Sequence, residues 1–439
     1  MNINKVLADP GGISIDSRTI KRGEIFIALK GKNFDGHDFV KKALSKGAKA
    51  AIVSRIPDTG PQNKKRLIKV KDTLKTLGDI ACAHRKKYTV PVVAVTGSNG
   101  KTTTKDMIAH MLSTKYKVLK NETSKNNLIG LPLTLLKLTE KHDVAVLEMG
   151  MNKFGEIARL SEIAKPHIGV VTNIGPSHLE FLGTVKNILM AKMELIERLT
   201  KYDIAVLNND DIYLRNLKWS KCRRIYFGIK RKCEFQAEDL LYKNNKWQFS
   251  IDNNPLLQLP VLGHHNIYNA LAAIAIARQF NLKYNSIRSQ LRTYRQSSRM
   301  RLELKSIKGI EIIDDSYNAN PASMKSAINT LSRYDARGKR ILVAGDMLEL
   351  GKKSKAMHKS IGKMVASAPV KALITIGEFS SFISRAAKKC GMNKTYHAQS
   401  HEEAARILQR LARPGDVILL KGSRGMQMEK IIWEFRGKH

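Results

Sequence analysis

The sequence predicts an α/β protein built from three consecutive units, at about 1–87, 88–296 and 297–439. Three observations predict it. Short, near-continuous apolar runs recur: VVAVT, DVAVLEMG, HIGVVTN and DIAVLN in the middle, then IEIID, RILVAGD, ALITIG and DVILLKG. Strands buried on both faces of a mostly parallel sheet require such runs. Helical stretches alternate with them, as expected of strand–helix–strand units. A polar stretch, RQSSRMR, separates the first group of runs from the second.

In the first unit, EIFIAL and AAIVS read as strands flanking an amphipathic helix in HDFVKKALSKG. Asp72 is placed to N-cap a second helix, where a short carboxylate accepts from the unpaired N–H groups of the first turn. Leu74, Leu77, Ile80 and Ala81 share one face of that helix.

The middle unit opens with VAVTGSNGKTTTKDMIAHML. A strand leads into Gly97-Ser98-Asn99-Gly100, and Met107, Ile108, Met111 and Leu112 form the apolar face of the next helix. The usual phosphate loop, GxxxxGKS/T, is not matched, because Val95 stands at its first glycine and Gly97 supplies the early turn. The physics is unchanged: glycines let backbone N–H groups close around phosphate oxygens, and the helix N-terminus adds favourable potential. Lys101 is placed for the β- and γ-phosphates of ATP and Thr102 for Mg²⁺, with Ser98 and Thr103 as further donors. Glu148 ends the run DVAVLE, at the strand edge where open α/β sheets bind ligands, and offers Mg²⁺ a hard oxygen. His178, in IGPSHLEFLG, falls in a loop at the same edge.

The helix TVKNILMAKMELIERL carries an oddity. Val185, Ile188, Leu189, Leu195, Ile196 and Leu199 form an apolar stripe, and Lys192 lies in its middle. A buried ammonium is costly, so the lysine must snorkel, pair with a carboxylate such as Glu148, or change chemically. Desolvation favours the neutral amine. A neutral amine can add CO₂, and the carbamate is an anionic oxygen ligand suited to a second Mg²⁺.

Composition narrows the function classes. The formal charge is +39, but basic residues are spread along the chain, no basic tail exists and aromatics are few, which disfavours nucleic acid as the partner. No apolar run is long enough for a membrane span. The opening MNINKVLADPGG lacks a signal-peptide core, so a cytoplasmic protein is expected. Cys82, Cys222, Cys233 and Cys390 make no CxxC pair and suggest neither zinc nor a disulfide framework.

TGSNGKTTTK, LEMGMNKFGEI, NIGPSHLEFLG and AKMEL, in this order, resemble the ATP-dependent Mur ligases of peptidoglycan synthesis. DSRTIKRGEIFIALKGKNFDGHDF, NETSKNNLIGLPLTLL, GHHNIYNALAAIA, DDSYNANPASM, GDMLELG and GDVILLKGSRGMQMEKI extend the resemblance over essentially the whole chain. It implies an N-terminal UDP-binding domain, a central ATPase and a C-terminal Rossmann-like domain. The implied reaction joins D-Ala-D-Ala to UDP-N-acetylmuramoyl-tripeptide through an acyl phosphate. The DNPR motif of the relative that adds the third residue is absent.

Carried over by motif, Lys101 and Thr102 hold triphosphate and first metal, Glu148 is a metal ligand, and His178 serves the second metal. Lys192 matches the family's carbamylated lysine. Asn269 lies near the adenine, with His265 and Asn266 as helix caps. Arg299 matches an arginine that usually follows glycine, here replaced by Ser298. Asp315 reaches the nucleotide from the third domain, and Asn318 and Asn320 face the dipeptide. Ser17 and Arg18 contact UDP; Thr123, Asn126 and Asn127 contact the tripeptide arm; Lys421 and Arg424 hold a substrate anion. The resemblance implies that the third domain swings in over bound nucleotide. A monomer is expected.

Overall fold

The computed structural model describes residues 2–437 except Lys32, Thr123, 218–220, Asn253 and Ser297. Near the N-terminus, strands Ile13–Ser14, Ile25–Ile27, Ala50–Val53 and Leu67–Lys69 form a parallel sheet in that order. The helix Thr73–Arg85 starts where Asp72 accepts from Lys75 N at 2.9 Å. Leu77, Ile80 and Ala81 are buried as expected, whereas Leu74 is part-exposed and borders the large central cleft.

The middle of the chain builds a seven-stranded sheet, all parallel: Phe235–Gln236, Arg223–Gly228, Ile204–Asn208, Ile168–Val171, Val92–Thr96, Val144–Glu148 and Val118–Lys120, in spatial order. Helices cover both faces, which is why strands such as VVAVT and VAVLE are buried along their whole length. The strand Val92–Thr96 lies between Ile168–Val171 and Val144–Glu148, so the chain winds away from it in both directions. A crevice opens at such a switch point, outside the carboxyl ends of the strands.

Three antiparallel strands, Glu238–Lys243, Lys246–Ser250 and Leu257–Leu259, were not foreseen from the sequence. Their hairpin turns at Asn244 and Asn245, both with left-handed backbone (φ +51° and +58°). An Asn-Asn pair between alternating segments is a hairpin signal of this kind.

The last sheet has six strands in the order Glu303–Ile307, Ile310–Asp314, Val417–Lys421, Arg340–Gly345, Ala372–Ile376 and Thr395–Ala398. The first pair is antiparallel and the rest parallel, so a Rossmann-like layer carries one antiparallel edge strand. Among the described residues no helix is long and apolar enough to cross a membrane.

Candidate active site

Val92–Thr96 delivers the glycine loop, and the helix Lys101–Leu112 leaves it. Gly97 and Gly100 take φ +145° and +83°, conformations open mainly to glycine. A Cβ on Gly97 would collide with Thr172 Oγ1, and one on Gly100 with Asn269 Oδ1. Ser98 N–H donates to Asn173 O, and its hydroxyl donates to Gly175 O, both at 2.9 Å, which pins the loop to the next strand's exit. Asn99 N–H donates to Asn173 Oδ1 at 3.0 Å. Lys101 Nζ curls back to donate to Gly97 O at 2.9 Å. Burial pulls Lys101 below its usual range, with Glu148 opposing and Arg301 adding to the shift.

Thr102 Oγ1 donates to Glu148 Oε2, and Asn126 Nδ2 to Glu148 Oε1, both at 2.7 Å. Glu148 is thus a buried carboxylate aimed at the first turn of the phosphate-loop helix. Among the described residues no three His, Cys, Asp or Glu side chains form a metal cluster. Mg²⁺ is usually held by one or two carboxylates together with substrate phosphates and water. The hydroxyl–carboxylate pair beside the loop fits such an ion.

Asn121, fully buried, holds the backbone of Glu148 at two points. Its Oδ1 accepts from Glu148 N, and its Nδ2 donates to Glu148 O, both at 2.9 Å. Buried Lys105 donates to the carbonyl of Asn121 at 2.6 Å. Sequence reasoning passed over this residue, whose position just after Val118–Lys120 matters only because that strand pairs with Val144–Glu148. Asn121→Leu is expected to cost about 1–3 kcal/mol of stability, because it strands buried backbone groups. It is also expected to raise the Mg²⁺ concentration for half-maximal rate by about tenfold or more, since outer partners orient metal ligands. Denaturant unfolding and a Mg²⁺ titration of phosphate release check both; an unchanged titration would discount the clamp.

His178 lies on the same cleft, with left-handed backbone (φ +54°) and Nδ1 2.8 Å from Glu349 Oε2. The ring lowers the Glu349 carboxyl below its usual range. Lys192 is 1% exposed on the helix Val185–Glu197. Burial first, then the neighbouring Lys101 charge, pulls its ammonium well below its ordinary range. The Glu148 oxygens go to Thr102 and Asn126 rather than to Lys192.

From the C-terminal sheet come Asp315, Asn318 and Asn320, all on the cleft. Lys421 Nζ lies 2.6 Å from Asp315 Oδ2 and donates to Asn318 O at 3.0 Å. Asn320 Nδ2 donates to Asn99 Oδ1 at 2.8 Å, so the third unit is seated on the phosphate loop. Ser326 and His265 Nδ1 meet at 2.7 Å across the same junction. Burial, with Lys421 and His264, pushes His265 down to about 4. Asn269 Oδ1 accepts from Thr104 Oγ1 at 3.1 Å, and its amide donates to Asn266 Oδ1 at 2.7 Å. Asn266 Nδ2 donates to Leu262 O at 2.6 Å. Thr103 accepts from Gln296 at 3.3 Å.

Several expected residues are placed differently. Arg299 is exposed and does not line the cleft; Arg301 does, 3.9 Å from the Tyr317 ring centroid. The segment turns through left-handed Met300 and Leu302 (φ +60° and +54°), which directs the second arginine of SRMR inward. Arg301 Nε is buried without a hydrogen-bond partner among the described residues, a donor suited to a ligand oxygen. Buried Ser298 donates to Asp106 Oδ2 at 2.6 Å, tying the hinge to the phosphate-loop helix. Ser17 and Arg18 stand outside the cleft lining, and Arg18 pairs with Asp16 at 2.8 Å. Asn126 and Asn127 line it, although Asn127 Oδ1 also caps Ile129 N and Gly130 N. Thr123 lies outside the described residues. Arg424 borders the cleft and pairs with Glu429 at 2.8 Å.

Three family models match in chain order: Mur ligase family, catalytic domain, over residues 11–85; Mur ligase middle domain over 95–277; and Mur ligase, glutamate ligase domain, over 300–424. A UDP-N-acetylmuramoyl-tripeptide–D-alanyl-D-alanine ligase of Bacillus subtilis is 38% identical over 424 residues, 96% of this chain and 92% of that protein. The chain belongs to the Mur ligase family. This Mur ligase is also 33% identical over 433 residues to the Escherichia coli enzyme of the same name, covering 96% of this chain and 92% of that one. Its fold matches MurF from Acinetobacter baumannii at TM-score 0.89 and 31% identity, covering 98% of this chain and 94% of that one. It matches the MurF ligase of Thermotoga maritima in complex with ADP at TM-score 0.88 and 30% identity, covering 98% of both.

Proposed function

We propose that this Mur ligase is an ATP-dependent amide ligase that joins D-Ala-D-Ala to UDP-N-acetylmuramoyl-tripeptide, in the cytoplasm and as a monomer, during peptidoglycan precursor synthesis. Its divisions fall at about 87/88 and 296/297, with the uridine nucleotide on the first unit near Ser17 and Arg18. The observation that carries the reading is one cleft of about 840 Å³ bordered by the phosphate loop, Glu148 and His178 together with Arg301, Asp315, Asn318 and Asn320. Relatives similar over nearly the whole chain carry that activity in their names.

The chemistry follows from charge. A carboxylate resists attack by an amine at neutral pH because oxide would have to leave. Transfer of the γ-phosphoryl group of ATP to the tripeptide carboxylate makes an acyl phosphate; the dipeptide amine then attacks, and phosphate leaves. Lys101 and Arg301 offset the triphosphate charge. Asn126 and Asn127 position the tripeptide arm, while Asn318 and Asn320 face the dipeptide and Lys421 and Arg424 its carboxylate. Thr102 and Glu148 would hold one Mg²⁺, and His178 with Lys192 a second; bound Mg²⁺ supplies stabilisation of developing negative charge. The third unit, seated on the phosphate loop, keeps water from the acyl phosphate.

The test is an amide-forming assay with UDP-tripeptides ending in lysine or diaminopimelate. ADP and phosphate release that requires both UDP-tripeptide and D-Ala-D-Ala is expected. Turnover with a single amino acid on a shorter UDP-peptide would assign another ligation, and phosphate release driven by DNA or RNA alone would overturn the reading.

A further inference from the structure

Between Gly97 and Gly100 the phosphate loop carries the side chains of Ser98 and Asn99, and only Asn99 leaves it toward the third unit. Buried Ser98 turns its hydroxyl to Gly175 O at 2.9 Å and meets the Ser177 hydroxyl at 3.2 Å. The Asn99 backbone is gripped at the exit of the strand Ile168–Val171. Asn173 accepts from Asn99 N with Oδ1 and donates to Asn99 O with Nδ2, both at 3.0 Å, and Thr172 Oγ1 donates to the same carbonyl at 2.6 Å. The Asn99 side-chain oxygen accepts from Asn320 Nδ2 at 2.8 Å. Asn320 is equally fixed on its own side. It N-caps the helix Pro321–Arg333 through a capping box: its Oδ1 accepts from Ser323 N at 2.9 Å, and Ser323 Oγ accepts from Asn320 N at 3.0 Å. A backbone N–H only donates, so Oδ1 faces Ser323 and Nδ2 faces Asn99. Just before the cap, Asn318 O accepts from buried Lys421 at 3.0 Å and Ala319 O from Ser423 Oγ at 3.3 Å. Both partners are thus held by other bonds, independently of the one between them.

We propose that Asn320 is a positioning residue for the phosphate loop: from the third unit it bonds to Asn99 and holds the loop in the shape that receives the triphosphate. This deepens the reading of the loop as the ATP site and rests on it. A loop already held in its binding shape loses less freedom when the ligand arrives, so the contact raises affinity without touching the nucleotide. The helix cap and the loop contact use opposite ends of one amide, so the start of the helix Pro321–Arg333 and the phosphate loop are set together. Nδ2 carries a second N–H, which leaves Asn320 able to face the dipeptide as well.

The test is calorimetric titration of the full chain with a non-hydrolysable ATP analogue and Mg²⁺, read as a double-mutant cycle. Asn320→Ser keeps a hydroxyl that caps the helix but is too short to reach Asn99. Asn99→Ala removes the acceptor. Asn320→Ser is expected to weaken nucleotide binding by about two- to tenfold, the worth of one neutral hydrogen bond. Asn99→Ala is expected to weaken it at least as much, and the double variant is expected to match Asn99→Ala, because the contact is lost only once. A purely structural effect at Asn320 would instead multiply with the loss at Asn99. Asn320→Thr repeats the cycle with a second capping residue. Losses that multiply in the double variant, or wild-type affinity in Asn320→Ser, overturn the proposal. A wild type that does not bind the analogue overturns instead the ATP-site reading beneath it, so the two failures are distinguishable.

Discussion

Lys192→Ala is expected to lower turnover by about 10²- to 10³-fold, with added acetate or formate restoring part of the rate; the size is that of removing a main electrostatic contact to a developing charge. The side chain sits on a buried helix face between Ile188, Leu195 and Ile196, and the charge acting on it is another cation, Lys101. An ammonium in that place is opposed by desolvation and by like charge, so the neutral amine is favoured. On the carbamate proposal, its lone pair adds to the carbon of CO₂ and the nitrogen loses a proton. The resulting carbamate is a single negative charge carried on two oxygens, close to Lys101. Alanine leaves a slot that a small carboxylate can enter. Phosphate release with and without acetate reads the effect, and ¹³C-bicarbonate labelling reads the carbamate directly in the wild type. A near-normal rate in Lys192→Ala would end the carbamate account.

Glu148→Gln is the second large effect expected, with a loss of about 10²- to 10³-fold in rate and a marked rise in the Mg²⁺ required. Glutamine keeps the volume and one acceptor oxygen, so the contact from Thr102 at 2.7 Å can persist. The other contact, from Asn126 Nδ2 at 2.7 Å, would then face an amide donor, and the negative charge is gone. The change therefore isolates charge from shape. A Mg²⁺ titration of phosphate release reads it; an unchanged half-saturation point would remove Glu148 from the metal site.

Much of this site was legible in one dimension because its parts are local. A strand, two glycines and a lysine at a helix start are contiguous, and VAVLE announces both a doubly covered strand and the acid at its tip. Lys192 stood out because helical periodicity alone places it in an apolar stripe. Arg299 and Arg301 show where that reasoning stops: both occur in SRMR, and only the left-handed turns at Met300 and Leu302 select the one that reaches the cleft. Asn121 gave no local signal at all, since its amide is useful only because a neighbouring strand brings Glu148 alongside it.

The sequence by itself determined the layers, the phosphate loop and the chemical types at its rim, because apolar period, glycine freedom and helix starts act over a few residues. Tertiary structure alone decided which groups meet. Asn320 reaches Asn99 across 221 positions, and Glu349 reaches His178 from another sheet. The physical reason is range: a hydrogen bond or ion pair acts over about 3 Å whatever the separation along the chain, so its partner is fixed only when the sheets have packed.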